Sequence, residues 1–181
     1  MKRFMFVLAL LLVAGLSSAL AQSEAEVLVT ATVESELILV NVDGDWGLFS
    51  PGQTYTITPG GFKEPPGPGE GAGIVVDAIG FEVDGNPGSD VQVALVLPAA
   101  FTSDDENGNL PLSNWTYGWN YDNDPTVAFA AAGPVTGSAV TLTIGGGAAS
   151  GLFLGASVTV PTTAFAGGYT AQIIGSATYV Q

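Results

Sequence analysis

Residues 114–124 read NWTYGWNYDND, and a large aromatic side chain occupies every second position in most of this stretch. The aromatic residues are Trp115, Tyr117, Trp119 and Tyr121. Successive side chains of a β-strand point to opposite faces, so all four rings would share one face and the other face would be small and polar. The spacing predicts a strand over 114–121.

That aromatic face has two interpretations. If it is exposed, the rings would stack on sugars, and the protein would be a carbohydrate-binding module with glycans as partners. If it is buried, the rings would fill a core, because aromatic residues favour strands and bury large areas. Monomeric proteins avoid a contiguous exposed apolar patch unless they use it. We expect the face to point inward, with one end reaching a rim.

Comparable runs follow one another along the rest of the chain, separated by Gly and Pro, and helical periodicity is hard to find after residue 22. Many short strands between turn signals predict an all-β fold, an antiparallel β-sandwich. Too few residues precede the Pro/Gly-rich segment 63–73 to form a sandwich of their own, so we predict an intradomain loop there and a single domain over 22–181. The predicted strands cover 25–33, 36–42, 53–58, 74–84, 90–97, 114–121, 126–131, 138–144, 152–160 and 169–180.

The first 21 residues have the pattern of a secretory signal peptide. Lys2 and Arg3 precede the apolar run FMFVLALLLVAGL, and an Ala-Leu-Ala sequence ends at Ala21. The run is too short and wrongly flanked for a spanning helix. We predict cleavage after Ala21, no membrane span afterwards, and a secreted, cell-surface or extracellular location.

Charge and composition exclude several classes of function. After cleavage a single lysine, Lys63, faces 17 acidic residues, which leaves a net charge of −16. Such a chain lacks the basic side chains that contact nucleic-acid phosphates. With no His and no Cys it also lacks Ser-His-Asp and Cys-His systems and His-bound zinc. We expect no enzymatic activity and no cofactor other than calcium.

The calcium hypothesis rests on the acidic stretch TSDDENGN at 102–109, in which Asp104, Asp105 and Asn107 are candidate ligands. An EF-hand supplies oxygens at fixed positions around a glycine and ends on a bidentate glutamate. Aligned on Gly108, the stretch has Ser103 at the first position and Asn114 at the last, so both ends depart from that pattern. A solvated hairpin loop is the favoured interpretation, and a calcium-stabilised adhesin is the alternative.

The segment 25–33 alternates cleanly and begins close to the predicted cleavage site. The small apolar residues of one face are Ala25, Val27, Val29, Ala31 and Val33. The segment is either the first strand of the chain's own sandwich or a donor strand that completes a neighbour's sheet. Strand addition uses main-chain hydrogen bonds for affinity and alternate side chains for specificity. Repeated head to tail, it builds an open filament.

Two segments carry a resemblance to a known family. DWGLFSPGQTYTITPGG at 45–61 and LGASVTVPTTAFAGGYTAQIIGSATYVQ at 154–181 resemble the opening and closing patterns of secreted bacterial β-sandwich domains of unknown function, a family similar to spore coat protein U and chaperone–usher pilins. The resemblance implies an immunoglobulin-like, pilin-like sandwich and a surface or coat role, and it carries over no catalytic residue. The matching positions, all interpreted as structural, are Gly47, Phe49, Gly60, Gly61, Gly168 and Tyr169.

Together these features predict a structural or adhesive surface protein, a fibre- or coat-forming subunit that associates with itself or with other surface subunits. The contacts between subunits would come from Val27, Val29, Ala31 and Val33. A carbohydrate-binding module and a calcium-stabilised adhesin are the alternatives.

Overall fold

The computed structural model describes residues 36–105, 108–146 and 149–180. Over these ranges the chain is all-β and antiparallel, without helices, as the sequence predicts. The same ranges accordingly hold no helix of the length and apolarity that crossing a membrane requires. The strands are β1 (Ile38–Val42), β2 (Thr54–Ile57), β3 (Lys63–Glu64), β4 (Ile79–Asp84), β5 (Asp90–Val96), β6 (Ala100–Ser103), β7 (Asn109–Asn120), β8 (Ala131–Pro134), β9 (Ala139–Thr143), β10 (Ser150–Thr159), β11 (Tyr169–Thr170) and β12 (Ile174–Tyr179).

Strand β10 is the centre of the larger sheet, whose order is β1-β4-β10-β7-β6-β11. One edge of β10 pairs with β4 along its first half and with β2 along its second half, while the other edge pairs with β7. Strands β3 and β8 extend the sheet from β2 and β7. Residues 150–158 are all buried, which explains why SGLFLGASV is a continuous apolar and small run instead of an alternating one.

The smaller sheet has the order β12-β5-β9. In β5 the side chains alternate strictly between exposed and buried, and Val91, Val93 and Leu95 form the buried row. This row meets the inner face of the larger sheet in one core that includes Phe81, Trp119 and Leu152 and also Val140 and Leu142 of β9. The alternating DVQVALV sequence therefore supplies one face to the core and one to solvent.

A second hydrophobic cluster lies at the other end of β10. It joins Tyr55 and Ile57 of β2, Leu110 and Leu112 of β7, and Ala156, Val158 and Val160. Trp46 completes it from the segment between β1 and β2, and Phe49 packs against it. Strand β7 contributes to both clusters. Its N-terminal half packs in the second cluster, and its C-terminal half packs in the first cluster.

A β-bulge in β7 makes that division possible. Gly155 of β10 pairs with Thr116, whereas Ser157 pairs with Ser113, so Asn114 and Trp115 together oppose one residue. Asn114 has a φ of 51°, in the left-handed region that asparagine tolerates better than most residues. The extra residue changes which positions face inward. Leu110 and Leu112 are buried before the bulge, and the odd-numbered positions turn to the core after it.

Several predicted boundaries differ from the structure. The predicted strand 126–131 is mostly a turn, and β8 begins at Ala131 because that is where pairing with Trp119 starts. The predicted loop 63–73 contains β3, in which Lys63 is fully buried. The predicted strand 169–180 is divided, because β11 pairs with β6 whereas β12 pairs with β5.

Candidate functional site

A groove of about 1040 Å³, lined by aromatic, aliphatic and polar residues, lies beside the second cluster. Leu110, Leu112 and Trp115 of β7 form part of its lining, together with Phe101 of β6. The segment 41–49 and the chain between β10 and β12 contribute the remaining sides. The volume suits a small molecule or a short stretch of extended peptide. Further apolar residues of the lining are Trp46, Phe49, Ile79, Phe81, Val160, Ala164, Phe165, Tyr169 and Ile173.

Aromatic rings concentrate on one side of this groove. The centroid of the Trp46 indole lies 5.6 Å from that of Phe101 in an edge-to-face arrangement with an interplanar angle of 84°. The same indole lies 6.3 Å from that of Trp115, tilted by 45°. Such geometries contribute stabilisation beyond simple burial. The rings therefore support one another as a preformed wall.

Lys63 fixes the segment that carries Trp46 and Phe49. Its Nζ donates to the carbonyl oxygens of Trp46 and Leu48 at 3.1 and 2.6 Å and lies 3.0 Å from Oε2 of Glu70. The ammonium also lies 4.7 Å from the centre of the Phe49 ring. A fully buried lysine requires such partners, because an unpaired charge in the interior costs several kcal/mol, by order of magnitude.

Glu70 is the counter-ion of this buried lysine. Its side chain is 12 % exposed, and its carboxylate also accepts hydrogen bonds from the backbone N–H groups of Gly67 and Leu48. Burial raises the pKa of Glu70, but the hydrogen bonds from Lys63, Gly67 and Leu48 and the charge of Lys63 outweigh burial and hold the pKa below its ordinary value. The loop 67–70 is thereby tied to the groove wall through one ion pair.

The remaining charges of the groove are acidic. Asp43, Asp45 and Asp104 are part of its lining, and each of them is exposed. Lys63 is the only basic residue within the described ranges, and Glu70 pairs with it. The groove therefore combines an aromatic wall with a negatively charged rim.

The two buried tryptophans differ in their hydrogen bonding. Trp119 donates its indole N–H to the carbonyl oxygen of Thr143 at 3.1 Å. Trp46 is only 4 % exposed, and its Nε1 finds no acceptor among the residues that the structure describes. Buried donors are nearly always paired, so within the described residues the Trp46 N–H is an exception to that rule.

The aromatic residues of β7 are divided by the fold. Trp119 is buried, and Trp115 and Tyr117 are partly buried and pack against the first core cluster. Tyr121 follows the strand and is 44 % exposed. The four residues thus do not present one exposed row of rings, and the predicted glycan-binding face would require such a row.

The acidic loop is a hairpin turn between β6 and β7. Ser103 donates its hydroxyl to Asp105 at 2.7 Å and accepts the backbone N–H of Gly108 at 2.8 Å, while the backbone N–H of Asp104 bonds to the carbonyl of Gly168. Asn107 lies outside the described residues. Within those residues no group of three or more acidic side chains is close enough to hold a metal ion.

Strand β9 leaves one edge of the smaller sheet open. The hydrogen bonds Leu95 N to Ser138 O and Ile144 N to Ser89 O mark the two ends of its ladder with β5. Main-chain groups alternate in direction along an antiparallel strand, so even-numbered residues of β9 face β5, and Ala139, Thr141 and Thr143 face away from it. Among the described strands β9 pairs only with β5. At one end of its other edge, the carbonyl oxygen of Thr143 accepts a hydrogen bond from the indole N–H of Trp119.

The predicted donor residues Val27, Val29, Ala31 and Val33 lie outside the described residues, as does the predicted signal peptide. Sequence reasoning missed Trp46, Phe101 and Lys63 as parts of one site. One signal was present, since Lys63 is the only basic residue after position 3, and a lone retained lysine in an acidic chain is a candidate for a buried ion pair.

Comparison with models of protein families, with curated proteins and with solved structures gave no match for this chain. The resemblance to spore coat protein U and to pilins therefore stays a hypothesis that rests on the sequence patterns alone.

Proposed function

We propose that this protein is an exported, non-enzymatic structural subunit of a cell-surface or extracellular assembly, with an immunoglobulin-like sandwich as its scaffold and strand addition as its means of assembly. The supporting observation is the open edge of β9. Ala139 and Thr141 direct their backbone groups to that edge, and β9 contains no charge, no proline and no bulge. Soluble proteins usually protect an edge strand with one of these features.

The donor in this proposal is segment 25–33 of a neighbouring copy. Its apolar residues alternate with a face that contains Leu28, Thr30 and Thr32. Val140 and Leu142 of β9 are buried, whereas Thr141 is exposed, so an added strand with the same alternation would continue both faces of the sheet.

Charge makes this assembly dependent on salt. Each mature subunit would carry a net charge of −16, so copies repel one another at low ionic strength. The Debye length falls to about 8 Å at physiological ionic strength, which screens most of that repulsion. We expect the sedimenting fraction to rise with sodium chloride.

The test is a pair of substitutions at one exposed position of the edge. Thr141→Pro removes an N–H that points away from β5, so the strand keeps its own ladder but cannot donate to an incoming strand. Thr141→Val keeps the N–H and serves as the control. We expect oligomers or filaments from the wild type and the valine variant in light scattering and negative-stain microscopy, and monomers from a folded proline variant.

A second pair tests the donor. Val29→Asp places a charge on the apolar face of segment 25–33, and Thr30→Asp places the same charge on the other face. Only Val29→Asp should prevent assembly. A wild-type protein that stays monomeric at high concentration and salt would refute the proposal, and assembly by the Thr141→Pro variant would exclude β9 as the acceptor.

Export has its own test. Expression in a bacterium with a secretory pathway should yield an extracytoplasmic protein whose mass corresponds to a chain that begins at Gln22. Retention of the full-length chain inside the cell would contradict the exported location, whatever its state of assembly.

The two alternative functions have less support from the geometry. The β7 rings do not form an exposed row, so we expect no change in tryptophan fluorescence with a panel of polysaccharides. A calcium-stabilised adhesin would show a melting temperature that rises with calcium and falls with chelator.

A further inference from the structure

We propose that the aromatic groove is a binding site for an apolar ligand that carries a positive charge. The site is separate from the β9 edge, and the proposal is independent of the assembly described above. Two observations support it: the size and aromatic lining of the groove, and the sign of the charges around it.

The lining favours an apolar body. Trp46, Phe101 and Trp115 form a contiguous aromatic wall, and Leu110 and Leu112 adjoin it. The space of about 1040 Å³ is at the upper end of the range for small-molecule sites, which is roughly 300–1,000 Å³. The volume therefore leaves room for a ligand with a large apolar body.

The charges favour a cation. Asp43, Asp45 and Asp104 all belong to the lining, and Lys63, the one basic residue of the described ranges, is fully buried and paired with Glu70. An anionic ligand would find like charge at the rim and no free cation within those ranges. A positive group over the partly buried Trp115 ring would also gain a cation–π attraction of roughly 0.5–2 kcal/mol.

The Trp46 N–H lies inside the protein and contributes nothing to ligand recognition at the groove surface. Trp46 is 4 % exposed, and its Nε1 is buried without an acceptor among the described residues. The class of ligand therefore follows from the aromatic lining and the surrounding charges, and it is an apolar cation.

The experiment compares three fluorescent rods that share one apolar body. Diphenylhexatriene is neutral, its trimethylammonium derivative is cationic, and its propionic acid derivative is anionic at neutral pH. Binding to the purified chain that begins at Gln22, at low salt, should follow the order cationic, neutral, anionic. We expect a difference of about tenfold or more between the two charged rods, because each exposed charge pair is worth about 0.2–1 kcal/mol.

Three variants locate the binding. The double variant Asp43→Asn/Asp104→Asn should weaken the cationic rod by roughly threefold to tenfold and leave the neutral rod unchanged, since it alters rim charge alone. Asp122→Asn removes an exposed acid that is not part of the lining and should change neither. Ala164→Trp fills the groove and should abolish binding of all three rods.

The proposal fails in any of three cases: no rod binds the wild type, the three rods bind equally, or a folded Ala164→Trp variant binds as the wild type does. If Ala164→Trp does not fold, the double aspartate variant alone decides, and an unchanged preference for the cationic rod would refute the site.

Discussion

Replacing Glu70 by glutamine should destabilise the protein more than any other single loss of charge in the described ranges. The substitution leaves Lys63 buried with its two carbonyl partners and the Phe49 ring but without a counter-ion. Breaking a buried ion pair costs about 3–5 kcal/mol. Lys63 keeps its carbonyl partners in the variant and can still donate to the amide oxygen of glutamine. We therefore expect a loss of unfolding free energy at the lower end of that range, about 3 kcal/mol.

The pH dependence of this effect has a definite sign. The folded-state pKa of Glu70 lies below its ordinary value of 4.5, so the ion pair contributes its full stabilisation above that value. The contribution is lost as the pH falls through the folded-state pKa. In acid the wild type therefore loses the stabilisation from the ion pair, which the glutamine variant lacks at every pH. The difference in unfolding free energy between the two proteins becomes smaller as the pH falls.

Urea unfolding, followed by circular dichroism at neutral and acidic pH, measures both effects. Glu64→Gln is the matched control, because Glu64 is the exposed neighbour of Lys63 on the same strand. At neutral pH we expect a loss of about 3 kcal/mol for Glu70→Gln, or about 6–12 °C in melting temperature. A loss equal to that of Glu64→Gln, or a gap independent of pH, would refute the reasoning about Lys63.

Three further pairs of substitutions test the fold. Trp119→Phe should cost about 1 kcal/mol more in unfolding free energy than Trp46→Phe, because only Trp119 loses a hydrogen bond within the described residues; equal losses would contradict this. Asn114→Ala should lower stability by about 1 kcal/mol relative to Asn114→Gly, since the bulge holds position 114 at a φ of 51°; thermal melts of the two variants decide it. Gly80→Ala should prevent folding, because a Cβ there would collide with the Leu152 carbonyl, whereas Gly71→Ala meets nothing within 4 Å and should be neutral in the same melts.

The pattern of apolar and polar residues predicted strands well where that pattern matches the burial of the strand. The prediction for 90–97 agrees with β5 within one residue, and its buried row is the one that the pattern indicates. The prediction for 152–160 also finds β10, although the strand begins two residues earlier. In both segments the local sequence and the tertiary environment require the same conformation.

The prediction was weaker where pairing, and not local preference, decides the structure. The AAGP sequence of β8 has low strand propensity and is a strand because β7 lies beside it. The chain from 169 to 179 looks like one strand, but its two parts pair with strands of different sheets. Lys63 was assigned to a loop because its neighbours are Pro and Gly, and its burial depends on Glu70 and on distant carbonyls.

The candidate site was the least predictable part. Alternation across 114–121 indicated a shared aromatic face, but the bulge at Asn114 changes which upstream residues share it. Trp46, Phe101 and Trp115 are far apart in the sequence, so no local pattern links them. Only the pairing of β6 with β7 and the anchoring of segment 45–49 by Lys63 bring the three rings together.

The position of β10 has a consequence for the order in which the chain acquires structure during synthesis. Strands β2 and β4 are made early, but the edge that both of them pair with is Ser150–Thr159, near the end of the chain. Until the ribosome has released that segment, β2 and β4 lack the strand that joins them in one sheet, although β1 can already pair with β4 and β3 with β2. Contacts so distant in sequence form slowly. The larger sheet can therefore be completed only after β10 has been synthesised.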